Sequence, residues 1–337
     1  MEVFTTSALE DPREVRATYP RLEEIGYDGI FSFEAKHDPF VALAVAAEHT
    51  SRVQLGTAIA IAFARTPMNL AYLGNDLQLV TGGRFVLGLG SQVRPHIVHR
   101  YGAEWSEPAR RMHELVRAVG AVFTAWETGD PLAFEGEFYR HTLMIPAFDP
   151  GPNPFGRPPV YVGGFGPRMV AVAGEVADGL ITHPFTTRQS LETITLPALE
   201  RGLAASGRTR ADVRVVCATL IVSSDREEEL ERLRRVACQQ LAFYGSTPAY
   251  APTLEFHGWG DLHPELNRLS KAGRWLEMAG LIDNEVLDAI AVVGEPSTIA
   301  PKLRARLDGI ADAVSLTNNR APDPDHWAGV VADLKRD

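Results

Sequence analysis

Arg84-Phe85-Val86-Leu87-Gly88-Leu89-Gly90-Ser91-Gln92 is an apolar run, rich in β-formers, that ends in two glycines, a small hydroxyl residue and an amide. A second run of the same design stands at Pro159-Val160-Tyr161-Val162-Gly163-Gly164-Phe165-Gly166. A strand that ends in glycine and opens into a helix gathers backbone N–H groups at one point, free of side chains, and such a point suits an anion. Two such ends in a chain of alternating strands and helices point to a (β/α) enzyme with a phosphate-bearing cofactor at the strand C-termini.

The alternation extends in both directions. Strands are predicted to begin at Val3, Gly29, Val53, Arg84, Val160, Gly179, Val213 and Ala313, each followed by a helical stretch. These strands are apolar without strict alternation, so both faces are covered, as in a parallel sheet. Eight βα units in one chain predict an α/β fold, a (β/α)8 TIM barrel. A doubly wound open sheet is the competing arrangement. Two stretches break the rhythm. Pro131–Asp149 contains Phe134-Glu135-Gly136-Glu137-Phe138-Tyr139, which reads as a hairpin insertion. Gly245–Gly260, crowded with glycine, proline and aromatics, reads as an extended mobile loop near the strand C-terminal ends, with short helices at Leu262–Leu281 and Asn284–Ile290. The whole chain, 1–337, is therefore expected to be a single barrel domain with insertions around 131–149 and 245–290.

Composition narrows the class. The chain has 337 residues, 45% hydrophobic and 23% charged, with a net charge of −10. An acidic balance disfavours a nucleic-acid partner, which requires a basic face. No apolar run approaches the roughly 18 residues of a membrane span. The start, Met1-Glu2-Val3-Phe4-Thr5-Thr6, has no basic region followed by an apolar core. Two cysteines, Cys217 and Cys238, form neither a disulfide framework nor a metal cluster. The expectation is a reduced, cytoplasmic protein that handles a small molecule.

In a barrel the site lies beyond the strand C-termini. Glu34, Lys36, His37 and Asp38 follow the second predicted strand, Ala58 and Ile59 the third, Ser91 and Gln92 the fourth, and Gly163 to Gly166 the fifth. His183 follows the sixth. No histidine pair has zinc-site spacing, so no metal is expected. Glu34 reads either as a site carboxylate or as the partner of Lys36 or Arg65. His37 reads as a proton donor or acceptor, and Asp38 before Pro39 as a helix cap. Gly88 reads as a relief of crowding between strands.

Four blocks carry a family resemblance: Glu34-Ala35-Lys36-His37-Asp38-Pro39-Phe40, the stretch from Leu55 to Pro67, Gly83 to Gln92, and Ala173 to Gly179. In this order they resemble the bacterial luciferase-like superfamily, and within it the deazaflavin (coenzyme F420)-dependent oxidoreductases. The resemblance implies a (β/α)8 barrel, usually a homodimer, with the cofactor ring in the mouth. It implies a non-prolyl cis peptide near Ala58-Ile59 that backs the ring. Ser91 and Gln92 match positions that touch the cofactor, and Gly163, Gly164, Phe165 and Gly166 the loop that cradles its phosphate. The resemblance thus implies hydride transfer between coenzyme F420 and a small organic substrate, with His37 moving the proton and Glu34 as its orienter or partner. FMN, serving a monooxygenase or reductase on the same frame, is the alternative cofactor. A non-catalytic flavin-binding barrel is the alternative of another class. One departure stands out: Val93 occupies the place where sugar-phosphate dehydrogenases of the superfamily carry a catalytic glutamate, which argues against a sugar-phosphate substrate.

Overall fold

The computed structural model describes residues 1–7, 11–317 and 324–336. Its strands are β1 (Glu2–Ser7), β2 (Gly29–Ser32), β3 (Gln54–Thr57), β4 (Ala60–Ile61), β5 (Phe85–Gly90), β6 (Phe134–Glu135), β7 (Arg140–His141), β8 (Val160–Gly164), β9 (Gly179–Thr182), β10 (Arg214–Ser223), β11 (Val292–Gly294) and β12 (Ala313–Thr317). All eight predicted strands are present. The chain is the α/β, (β/α)8 barrel expected from its strand count. It packs as two compact units, one of Phe4–Ile181 and Pro197–Val215, the other of Met1–Val3, Thr182–Leu196 and Val216–Asp337.

In the first unit β1, β2, β3, β5, β8 and β9 lie side by side, and the registers given for them are parallel. Ser32 pairs with Thr57 and Leu89 with Val162, so the C-terminal ends of these strands lie along one edge of the sheet. Every residue of β2 and β5 is buried, as covered parallel strands require. The following helices explain the burial. Helix Pro108–Thr128 buries Met112, Leu115, Val119, Val122 and Trp126, a stripe at helical spacing. Helix starts carry the expected signals: Asp38 caps Pro39–His49 and Thr66 caps Pro67–Val80, each with proline in the first turn. The hairpin insertion is real, β6 and β7 pairing antiparallel.

In the second unit β10 pairs in parallel with β12 and, near its C-terminal end, with β11. The segment read as a mobile loop is instead largely helical. Pro248–Tyr250 forms a 3-10 turn and Ala251–Phe256 a helix, on which Thr253 and Leu254 are buried. Aromatic packing orders it: Tyr250 lies 4.6 Å from the ring of His183 and 6.0 Å from that of Tyr244. Among the described residues no helix is long and apolar enough to cross a membrane.

Candidate functional site

Every residue expected at the site except His183 falls in the first unit, at the C-terminal edge of β2, β3, β5 and β8. Past β3 the chain turns through Ala58 and Ile59, and the peptide between them is cis, where the resemblance places one. The turn is tied to β2: the Ala58 N–H donates to Ser32 O at 2.9 Å, and the Glu34 N–H to Ile59 O at 3.2 Å. Ile59 sits between two glycines. A Cβ on Gly90 would stand 2.6 Å from its Cγ1, and one on Gly163 2.8 Å from its Cγ2. Both glycines therefore exist to seat this side chain, which stays half-buried beside the half-buried Ala58. Gly88 has a different cause. Its Cβ would lie 1.8 Å from Thr57 O. The Thr57 hydroxyl stitches the two strands there, donating to Gly88 O at 2.6 Å and accepting from Gly88 N at 2.9 Å.

Glu34 is held at all of its acceptor positions that matter. Its Oε2 accepts from Arg65 Nη1 at 2.6 Å and from the Ile61 N–H at 2.8 Å. Its Oε1 accepts from the Tyr101 hydroxyl at 2.7 Å. Of the two partners considered from the sequence, the structure selects Arg65; the side chains of Glu34 and Arg65 are only 6% and 14% exposed. Arg65 also donates to Asp38 Oδ2 at 2.7 Å, while Asp38 Oδ1 accepts from the Phe40 N–H. Burial pushes the Arg65 pKa down, but the two carboxylates outweigh it and hold the guanidinium above its ordinary value. Burial and the bond to Glu34 together push Tyr101 up to about 12. His37, exposed between these anchors, is thus carried on a short segment fixed at Glu34 and at Asp38.

Ser91 and Gln92, both half-buried, leave the end of β5 in an unusual turn. Gln92 has a φ of 59°, a left-handed conformation that few non-glycine residues adopt. Its side chain stabilises the turn: Oε1 accepts from the Val93 N–H at 3.0 Å, and Ser91 Oγ donates to Gln92 O at 3.1 Å. At the end of β8 the four expected cradle residues divide. Gly163 makes room for Ile59, and Gly164 for Leu180, whose Cδ1 would lie 2.8 Å from an added Cβ. Phe165 is half-buried. Only at Gly166 would a Cβ meet nothing within 4 Å. Gly166 is the N-cap of helix Pro167–Val176, and no side chain caps that helix start.

Tyr101 is the participant that sequence reasoning missed. His183, in the second unit, accepts from the Phe185 N–H through Nδ1 at 3.1 Å and packs among Tyr244 and Tyr250. Burial pulls its pKa down to about 3.

This chain belongs to the luciferase-like monooxygenase family, whose description matches residues 2–313. It is 52% identical over 293 residues to a Mycobacterium tuberculosis (strain H37Rv) protein of uncharacterized activity, covering 87% of this chain and 86% of that one. Among solved structures it is similar to the coenzyme F420-dependent tetrahydromethanopterin reductase of Methanopyrus kandleri, with a TM-score of 0.79 at 20% identity over 99% of this chain and 97% of that one. It is also similar to the oxygenating constituent of 3,6-diketocamphane monooxygenase of Pseudomonas putida, solved with FMN, at a TM-score of 0.70 and 17% identity over 100% and 97% of the two chains. The structural likenesses establish the barrel, and the family match establishes a luciferase-like frame with F420-dependent and FMN-binding neighbours.

Proposed function

We propose that this protein is an oxidoreductase that binds coenzyme F420 at the C-terminal edge of β2, β3, β5 and β8 and transfers a hydride to or from a small organic substrate. The observation that carries this reading is the apolar wall of Ala58 and Ile59, seated by Gly90 and Gly163. Polar groups of His37, Ser91 and Gln92 stand on the neighbouring strand ends, and an uncapped helix start stands beside Gly166. A flat ring needs an apolar face with polar edges, and its phosphate needs unsatisfied backbone donors. Ala58 and Ile59 would offer such a face, and the helix start after Gly166, which no side chain caps, would offer such donors. When bound, the deazaflavin supplies the hydride chemistry, and the protein supplies position and electrostatics.

The residues would divide the work as follows. Ala58 and Ile59 back one ring face, so substrate approaches the other. Ser91 and Gln92 hold polar edges of the cofactor, and Gly163, Gly164, Phe165 and Gly166 border its phosphate at the helix start. His37 takes or gives the proton at the substrate oxygen that accompanies hydride transfer, a task for which an imidazole is suited near neutral pH. Glu34 is a positioning residue. Its oxygens are occupied by Arg65, Tyr101 and the Ile61 N–H, so it fixes the segment that carries His37 instead of moving protons itself. The substrate is of modest size and hydrophobic or mixed character.

The test is the change in F420 absorbance with the purified protein, a loss with oxidised F420 and small alcohols or aldehydes and a gain with reduced F420 and ketones or enones, with reduced FMN and oxygen run in parallel. Turnover of F420 with at least one substrate is expected. A His37→Ala variant should then lose about 100-fold or more in kcat while its F420 affinity stays within about twofold. Turnover only with reduced FMN and oxygen would replace this reading with a flavin monooxygenase.

A further inference from the structure

The second unit contains a cleft of about 480 Å³ whose walls carry four cations, Arg188, Arg234, Lys302 and Arg306, and one acid, Asp288. The chain as a whole has a net charge of −10, so this concentration runs against its balance. Two of the four cations are neutralised locally. Arg188 pairs with Glu192 at 2.8 Å, and Arg234 lies 3.6 Å from Asp288. The other two donate to backbone carbonyls. Lys302 Nζ donates to Val293 O at 2.6 Å, and Arg306 Nη2 donates to Thr186 O. Among the described residues neither is paired with a carboxylate.

Lys302 and Arg306 stand four positions apart in helix Pro296–Leu307, so they share a face, where like charges repel. A carbonyl solvates a cation without cancelling its charge. Burial accordingly pulls the Arg306 guanidinium down to about 10. A dianion lying along this face would meet both charges. A carboxylate supplies one charge, and a phosphate close to two at neutral pH. A guanidinium fork with an ammonium beside it is also a donor set suited to phosphate oxygens. The cleft exceeds the size of a bare phosphate and lies within the range of small-molecule sites, roughly 300–1,000 Å³. Ala289, Ala291 and Val292 also border the cleft.

We propose that this cleft binds a phosphate-bearing small molecule, with the phosphate held between Lys302 and Arg306. The site shares no residue with the strand-end site of the first unit and does not depend on the F420 reading.

Calorimetric titration of the full-length protein with pyrophosphate tests it, with ADP and ribose 5-phosphate as arms that separate a nucleotide from a sugar phosphate. At least one of the three should bind saturably with a Kd at or below about 1 mM. Lys302→Glu should weaken that binding by at least about tenfold, and F420 affinity should stay within about twofold. Lys302→Ala, which removes an exposed ammonium without adding charge, should weaken it severalfold and guards against misfolding of the first variant. Absence of saturable binding to all three probes would overturn the proposal, as would undiminished binding in Lys302→Ala.

Discussion

At the residue scale, the best-determined feature of the site is the carboxylate of Glu34, whose three donors are the Ile61 N–H, Arg65 a turn further on and Tyr101 from a distant segment. Removing Tyr101's hydroxyl leaves Oε1 buried without a donor. Tyr101→Phe should therefore cost about 1–3 kcal/mol in urea denaturation. Glu34→Ala leaves Arg65 buried with Asp38 as its remaining carboxylate and should cost about 3 kcal/mol by the same measurement. Equal stability of either variant and the parent would show that the network does not hold the segment. The sequence names Glu34, His37 and Arg65 because they stand beside predicted strand ends. It gives no sign of Tyr101, which is 67 positions from Glu34 and reaches it only through the fold. Nor does it separate the causes of the glycines. Gly88, Gly90 and Gly163 look alike in the one-dimensional pattern, yet one admits a carbonyl and two admit an isoleucine.

At the scale of elements, those glycines become a graded set of substitutions. Gly88→Ala would force a Cβ against backbone, the carbonyl of Thr57, which cannot swing aside, so a loss of at least about 3 kcal/mol or failure to fold is expected. Gly163→Ala meets the movable side chain of Ile59 and should fold, displacing the apolar wall. Gly166→Ala meets open space at a φ of −77° and should change stability by no more than about 0.5 kcal/mol. Thermal melts of the three order them. A Gly88→Ala protein as stable as Gly166→Ala would refute the packing account. The hairpin insertion is tied down at Glu114, whose carboxylate accepts from the N–H groups of Glu137, Phe138 and Tyr139, and by Arg110 and Arg111, which lie over the Phe138 ring. Glu114→Ala should accelerate tryptic cleavage after Arg140 while the barrel melt stays close to that of the parent. Long apolar strands and their helices are legible in the sequence because burial on both faces writes a continuous pattern. β4 and β11, of two and three residues, are too short to write one. The helix Ala251–Phe256 hides behind the glycines and prolines around it, because tertiary aromatic packing, not local propensity, orders it.

At the scale of the whole molecule, stability should respond to pH through His183. Its folded pKa of about 3 lies below the ordinary 6.5. The unfolded chain then takes up a proton as pH falls through 6.5 while the folded protein does not. Stability from this group is fully present above pH 6.5 and declines toward pH 3, by up to about 1.4 kcal/mol per pH unit. Urea titrations between pH 7 and 4.5 should show this decline, and His183→Phe should flatten it; an unchanged slope would mean that His183 is accessible to protons in the native state. The account as a whole rests on a deazaflavin site at the strand ends. Its most direct test is fluorescence titration of the purified protein and of Gly163→Leu with F420 and with FMN. The account predicts that the parent binds F420 with micromolar affinity and at least about tenfold more tightly than FMN, and that Gly163→Leu, with Ile59 driven from its seat, loses at least about tenfold for F420. Preference of the parent for FMN, binding of neither cofactor, or F420 affinity unaltered in Gly163→Leu would contradict it.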